Sequence, residues 1–239
     1  MNNQVVTVSF FRYKGWRNKW WAFQQMGLAG NSIREVTGLQ FFKLLGSGAG
    51  RGFSIFPNWS TYGVLAVWDN EQAAQNYFKT HPSYKDFQAH SEEQWTLFLR
   101  TAQVHGVWEG NCPFEITTPY DKKQLVGVLT RATIYPKYLF QFWRFVPSVS
   151  ASVHDKKGLL FSIGIGELPL IQQATFSLWE SSERMMEYAY KSTFHKEVVQ
   201  KTRELGWYKE EMFARFLPYK SIGTWQGIHP LHGYLTTAI

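Results

Sequence analysis

VVTVSFFRY, residues 5–13, alternates closely enough to read as a strand, and LVGVLTRATI, residues 125–134, reads the same way halfway along the chain. The segments after the two runs match as well. Aromatic helical stretches come next, KWWAFQQMG (19–27) and KYLFQFWRFVP (137–147). FFKLLGSGAG (41–50) and LLFSIGIGEL (159–168) are strands that run into a Gly-X-Gly. YGVLAVWDNEQAAQNYF (62–78) and QATFSLWESSERMMEYAY (173–190) each close a strand on Trp and an acidic residue before a helix. Both halves end on a strand-like run closed by VWEG (107–110) or TWQG (224–227).

That order, β-α-β-β-α-β written twice, is the split βαβ or ferredoxin-like unit, whose sheet is covered by helices on one face and needs a partner on the other. The fold expected is α+β, with tandem ferredoxin-like repeats packed sheet to sheet as an α+β barrel. Residues 1–110 form the N-terminal half, 111–121 a polar linker, and 122–239 the C-terminal half. Alternation places Val6, Val8, Phe10, Leu65, Val67, Val128, Phe176 and Leu178 on the inward face. Gly46, Gly48, Gly164 and Gly166 read as strand-end turns, because no parallel βαβ setting accompanies them.

The chain of 239 residues carries a formal charge of +7, and 19 Phe, 12 Tyr and 11 Trp give it a heavy aromatic load. Such ring surface suits a roomy apolar interior and an apolar ligand. The single cysteine, Cys112, cannot form an internal disulfide, which together with the lack of a leader-like start points to the cytoplasm. No window is long and apolar enough to span a bilayer. The positive charge favours contact with anionic surfaces, and peripheral contact with the inner membrane is the form considered. In RYKGWRNKWWAF (12–23), Trp16, Trp20 and Phe23 follow i, i+4, i+7 spacing, which predicts a core-facing helix stripe.

Familiar catalytic patterns are missing. There is no His-Glu-X-X-His, Cys-X-X-Cys or Gly-X-Ser-X-Gly, and His229 and His232 fall in the tail. The adjacent pairs Glu92–Glu93 and Glu210–Glu211 read as solvated helix faces, since helix neighbours point different ways. The stretch from Ser192 to Phe216 reads as a long helical pattern with His195 near its start. A lone imidazole can ligate haem iron, and spacing leaves His195, His81, His90 and His105 all open. Position 195 corresponds to Tyr84 in the first half, so it has diverged between the repeats. Arg131 interrupts an apolar strand, where an unpaired charge is expensive. With Arg144 of FWRFVP (142–147), it is a candidate for pairing with an anionic cofactor group or a developing negative charge.

KWWAFQQMG, GLQFFKLLGSGAGRGFSIFPN (38–58), LTRATI (129–134), FWRFVP, FSIGIGELPL (161–170), ATFSLWE (174–180), GWYKEEMFARF (206–216) and GTWQG (223–227) together resemble the spheroidene monooxygenases. These are haem-containing carotenoid ketolases of the dimeric α+β barrel superfamily, and the runs span nearly the whole chain in order. The resemblance implies haem b and an oxidation of an allylic C–H of a carotenoid to a hydroxyl and then a ketone, using O2 and an external electron donor. By likeness to aldoxime dehydratases and chlorite dismutases of the same superfamily, His195 is the first choice as iron ligand. Arg131 and Arg144 then become cofactor-binding candidates, with Arg131 also catalytic. Trp20, Trp21, Phe23, Phe140, Phe142 and Trp143 are expected to divide between core and substrate channel. No nucleic-acid partner is expected, and self-association is left open. A haem carrier or sensor, or a haem enzyme acting on a small non-carotenoid substrate, is the alternative reading.

Overall fold

The computed structural model describes residues 3–49, 54, 56–144, 157–191 and 204–235. Its strands are β1 (Val5–Arg12), β2 (Leu39–Gly48), β3 (Pro57–Trp68), β4 (Glu93–Gly106), β5 (Val126–Ile134), β6 (Leu159–Leu168), β7 (Gln172–Trp179) and β8 (Tyr208–Gly223). The helices are α1 (Trp16–Arg34), α2 (Glu71–Thr80), α3 (Pro82–His90), α4 (139–144) and α5 (Ser182–Lys191). All neighbouring strands are antiparallel and close into one barrel in the order β1-β3-β2-β6-β7-β5-β8-β4. Each half supplies four strands in the same internal order: fourth, first, third, second.

The halves therefore meet edge to edge, and the expected packing of sheet on sheet is corrected. Hydrogen-bonded seams satisfy the edge groups that a face-to-face sandwich would leave exposed. One seam, β4 with β8, runs from Trp95↔Gly223 to Gly106↔Met212. The other is short, with Gly46↔Gly166 and Ser47↔Ile165 joining β2 to β6. Gly46, Gly164 and Gly166 thus lie within strands rather than in turns, and only Gly48 ends one. Gly166 is required by close approach: a Cβ there would sit 2.5 Å from the Gln172 carbonyl oxygen.

The barrel interior is mostly apolar. Val6, Val8, Phe10, Leu65, Val67, Phe176 and Leu178 are buried in it, with Trp95, Leu97, Leu129 and Phe216. Val128 is not, because Leu129 and Arg131 take the inward positions of β5 and Val128 packs outside with Trp179 and Met185. Both faces of β5 are apolar, so alternation alone does not orient it. The 111–121 segment is more than a polar linker: Phe114 plugs the barrel core against Phe216. Downstream, the helical reading of Ser192–Phe216 fails at its end, since Tyr208 opens the long strand β8.

Helix α1 inverts the expected stripe. Ala22, Ala29 and Ile33 face its sheet, while Trp16, Trp20 and Phe23 are 74%, 55% and 42% exposed. Small residues let the helix axis lie close to the strands, with the Gly30 position in contact with Phe42. The large rings are left on the opposite side.

Candidate functional site

The outward faces of the two halves share one register and are filled differently. With Trp68 matched to Trp179, Phe11 corresponds to Ala132, Phe42 to Ser162, Leu44 to Gly164, Tyr62 to Gln173 and Val64 to Thr175. In the first half these bulky groups join α1, α2 and α3 in one continuous core. Beneath them the Ser9 and Thr96 hydroxyls bond to each other at 2.8 Å, fully enclosed. In the second half the positions matching Phe11, Phe42, Leu44, Tyr62 and Val64 carry small or polar groups, and Thr130, the counterpart of Ser9, is exposed, whereas Thr96 is matched by the larger Phe213.

Apolar packing on that second face gathers into a cluster at each end of β5. Val126, Val128, Trp179 and Met185 pack with α5 at one end. Ile134, Phe142 and Trp207 pack with α4 at the other. Between them Thr130 pairs with Thr175 on one side and Phe213 on the other, and Thr175 pairs with Gly164. Four strands at their usual spacing make this floor about 14 Å wide. Among the described residues it is a run of small side chains, Thr130, Thr175 and Gly164, between packed ends, bordered on β8 by Phe213. The sequence signal was present in the repeat, where FFKLLG (41–46) is matched by FSIGIG (161–166). The loss of bulk shows only when strand positions are compared one by one.

A second polar concentration lies on the other side of the sheet, inside the barrel. Arg131, 2% exposed, pairs with Glu210 and, at 3.4 Å, with Glu167. Its guanidinium lies 5.3 Å over the Trp108 ring. Trp108 donates its indole N–H to Glu167 at 2.8 Å, and Lys43 approaches Glu167 at 2.7 Å and also pairs with Glu109. Phe10 occupies the matching position in the first half and packs 5.9 Å from Trp225. Burial works against ionisation of Glu210, but the backbone N–H groups of Glu109 and Gly110, together with Arg131, hold its carboxyl below the usual range. The charge that looked unpaired in sequence is therefore answered by the protein's own carboxylates. Arg131 faces the barrel interior, on the opposite side of β5 from Thr130.

The paired glutamates also need correction, because they sit at the starts of strands rather than on helices. Glu93 accepts from the backbone of Gln226 and Gly227 and from Thr224, and pairs with Arg12 at 2.9 Å. Glu210 grips the matching turn, Glu109–Gly110, at the other end. Each half thus holds the turn that closes the other.

His195 lies outside the described residues, a short way after α5. His81 caps α3, with its Nδ1 2.8 Å from the Ser83 hydroxyl. His90 stacks on Trp21 at 3.8 Å, and His105 is an exposed strand residue. Arg144 is exposed on α4. The six aromatic candidates do not gather into one channel. Trp20, Trp21 and Phe23 lie on α1 over the first half, whereas Phe140, Phe142 and Trp143 lie on α4 beside the second. Phe142 is buried, Phe140 is 81% exposed, and Trp143 donates to the Leu170 carbonyl at 3.1 Å.

A closed eight-stranded antiparallel barrel with helices outside, bulky on the outward face of one half and built of smaller side chains on that of the other among the described residues, is the class that the geometry defines. An aldoxime dehydratase structure shares this fold, with a TM-score of 0.65 at 11% identity over 100% of this chain and 90% of that one. A second, in complex with butyraldoxime, gives 0.64 at 10% identity over 91% and 80%. No protein-family model matches the chain. The chain belongs to the spheroidene monooxygenase family: it is 36% identical to the Rhodobacter capsulatus spheroidene monooxygenase over 95% of both chains. It is 34% identical to that of Cereibacter sphaeroides over 98% of this chain and 72% of that one.

Proposed function

We propose that the protein is a haem-dependent monooxygenase that oxidises an allylic C–H of a carotenoid to a hydroxyl and then to a ketone. Family membership supports the oxygenation and the polyene substrate. The observation that carries the site is the replacement of Phe42, Leu44 and Val64 by Ser162, Gly164 and Thr175 on the second outward face. The exchange removes side-chain bulk from that face among the described residues, which supports seating a planar group such as haem b against the sheet.

Thr130, Ser162, Gly164 and Thr175 would form the floor, and His195 would supply a ring nitrogen to the iron, with a further acceptor holding its other N–H. Exposed Arg144, on α4, would offer a guanidinium to a propionate. Haem b, when bound, supplies the binding and reductive activation of O2, with electrons from an external donor. The chain's own part is to seat the group, keep bulk water from the apolar polyene and fix which C–H faces the site. The matching strand order of the two halves supports reading them as tandem ferredoxin-like repeats, one of which kept a filled core while the other opened a site.

Protein purified from haem-supplemented cells should show a Soret band, and His195→Ala should lose or shift it. With spheroidene, O2 and reductant it should give hydroxylated and then ketonic product. A Soret band without turnover of the polyene would leave a haem carrier, and no Soret band would remove the haem reading altogether.

A further inference from the structure

We infer that the outward stripe of α1 is a docking surface for an anionic lipid bilayer. Trp16, Trp20 and Phe23 project from one side of the helix while Ala22, Ala29 and Ile33 take the buried side. A soluble helix normally shows the reverse arrangement. The stripe is continued by Trp59 at the start of β3, whose ring meets Phe23 at 5.2 Å, while Phe23 meets Trp20 at 5.6 Å. Trp59 is itself 51% exposed. Four large rings on one side of the molecule thus face solvent as one patch.

The charges beside the patch select the occupant. The α1 sequence, WRNKWWAFQQMGLAGNSIR, holds Arg17, Lys19 and Arg34 and no acidic residue. Arg17 lies 5.6 Å over the Trp16 ring, and exposed Lys14 flanks the helix start, where Glu92 approaches it at 3.4 Å. Tryptophan at the headgroup level with cations beside it is the arrangement that amphipathic interfacial helices use on negatively charged lipid. From Trp16 to Phe23 the helix rises about 10 Å, so it can lie in the interface plane without any spanning segment. Among the described residues no helix is long and apolar enough to cross a membrane. Docking stands on this geometry alone. Only its purpose, collecting a substrate from the bilayer, rests on the proposed function.

Co-sedimentation with vesicles of mixed phosphatidylcholine and phosphatidylserine reads docking without turnover. The protein should bind, more weakly at high salt. Trp16→Ala with Trp20→Ala should weaken binding by roughly tenfold or more, as expected when two large rings leave an apolar environment. Circular dichroism should show both proteins folded, and Ile116→Ser, at an exposed apolar site away from α1, should bind like the parent. Equal binding by parent and double variant would overturn the assignment. So would an absence of binding in a chain whose dimer, measured by light scattering, dissociates on the same double substitution. A protein that docks but oxidises no carotenoid would overturn the proposed function and leave the docking surface standing.

Discussion

Arg131 and Gly164 are single positions where the second half departs from the first, and each departure has a measurable consequence. Arg131 takes the place of Phe10 in the matching strand and is held by Glu210 and Glu167. Glu210→Gln leaves a guanidinium with weakened compensation inside the barrel, so the unfolding free energy in urea should fall by about 3 kcal/mol. At Gly164, the proposed haem site needs absence of bulk. Restoring first-half residues, Gly164→Leu with Thr175→Val, should abolish the Soret band while far-ultraviolet circular dichroism stays native. A double variant that binds haem normally would remove the proposed haem site from this face. Arg131 stands out in the sequence as a buried charge, correctly, but its partners come from β6 and β8, and contacts of that sequence separation leave no local trace.

Among the elements, α1 shows best why part of the fold was legible and part was not. Its existence follows from the aromatic helical run at 19–27, but the helix extends from Trp16 to Arg34 and the orientation inferred from i, i+4, i+7 spacing is reversed. Periodicity identifies a stripe without saying what the stripe faces. The decisive residues are the small ones, Ala22 and Ala29, which set how closely the helix lies on its sheet. Ala29→Leu should therefore cost about 1–3 kcal/mol by overpacking, whereas Trp20→Ala, at a solvent-facing position, should change thermal stability little. The reverse ranking would return Trp20 to the core. The strands are easier to read, because their repeated Trp-acidic endings fix β3 and β7 together. β5 is read as a strand but, apolar on both faces, is not oriented; the start of β8 reads as helix, and β2 and β6 run on through glycines that read as turns.

On the scale of the whole barrel, closure depends on two carboxylates working in opposite directions across the duplicated plan. Glu93, at the start of β4, holds the turn after β8, and Glu210, near the start of β8, holds the turn after β4. The turns bring Trp225 and Trp108 into the barrel core. At both glutamates burial opposes ionisation, but backbone N–H donors and a guanidinium outweigh it and lower the pKa. A carboxylate with a lowered folded-state pKa stabilises the fold above its unfolded value, about 4.3. That contribution disappears as pH falls through the folded-state value. The protein should accordingly hold its melting temperature between neutral pH and about pH 5, then lose it steeply on further acidification. Glu93→Gln with Glu210→Gln should lower the melting temperature at neutral pH and flatten the acid limb, because both proton-linked locks are gone. Of the single variants, Glu210→Gln should cost more, since Arg131 is 2% exposed whereas the Arg12 side chain beside Glu93 is 36% exposed and better solvated. Scanning calorimetry across that pH range checks all three expectations, and an acid limb equally steep in the double variant would move the cause of acid instability away from the two turns.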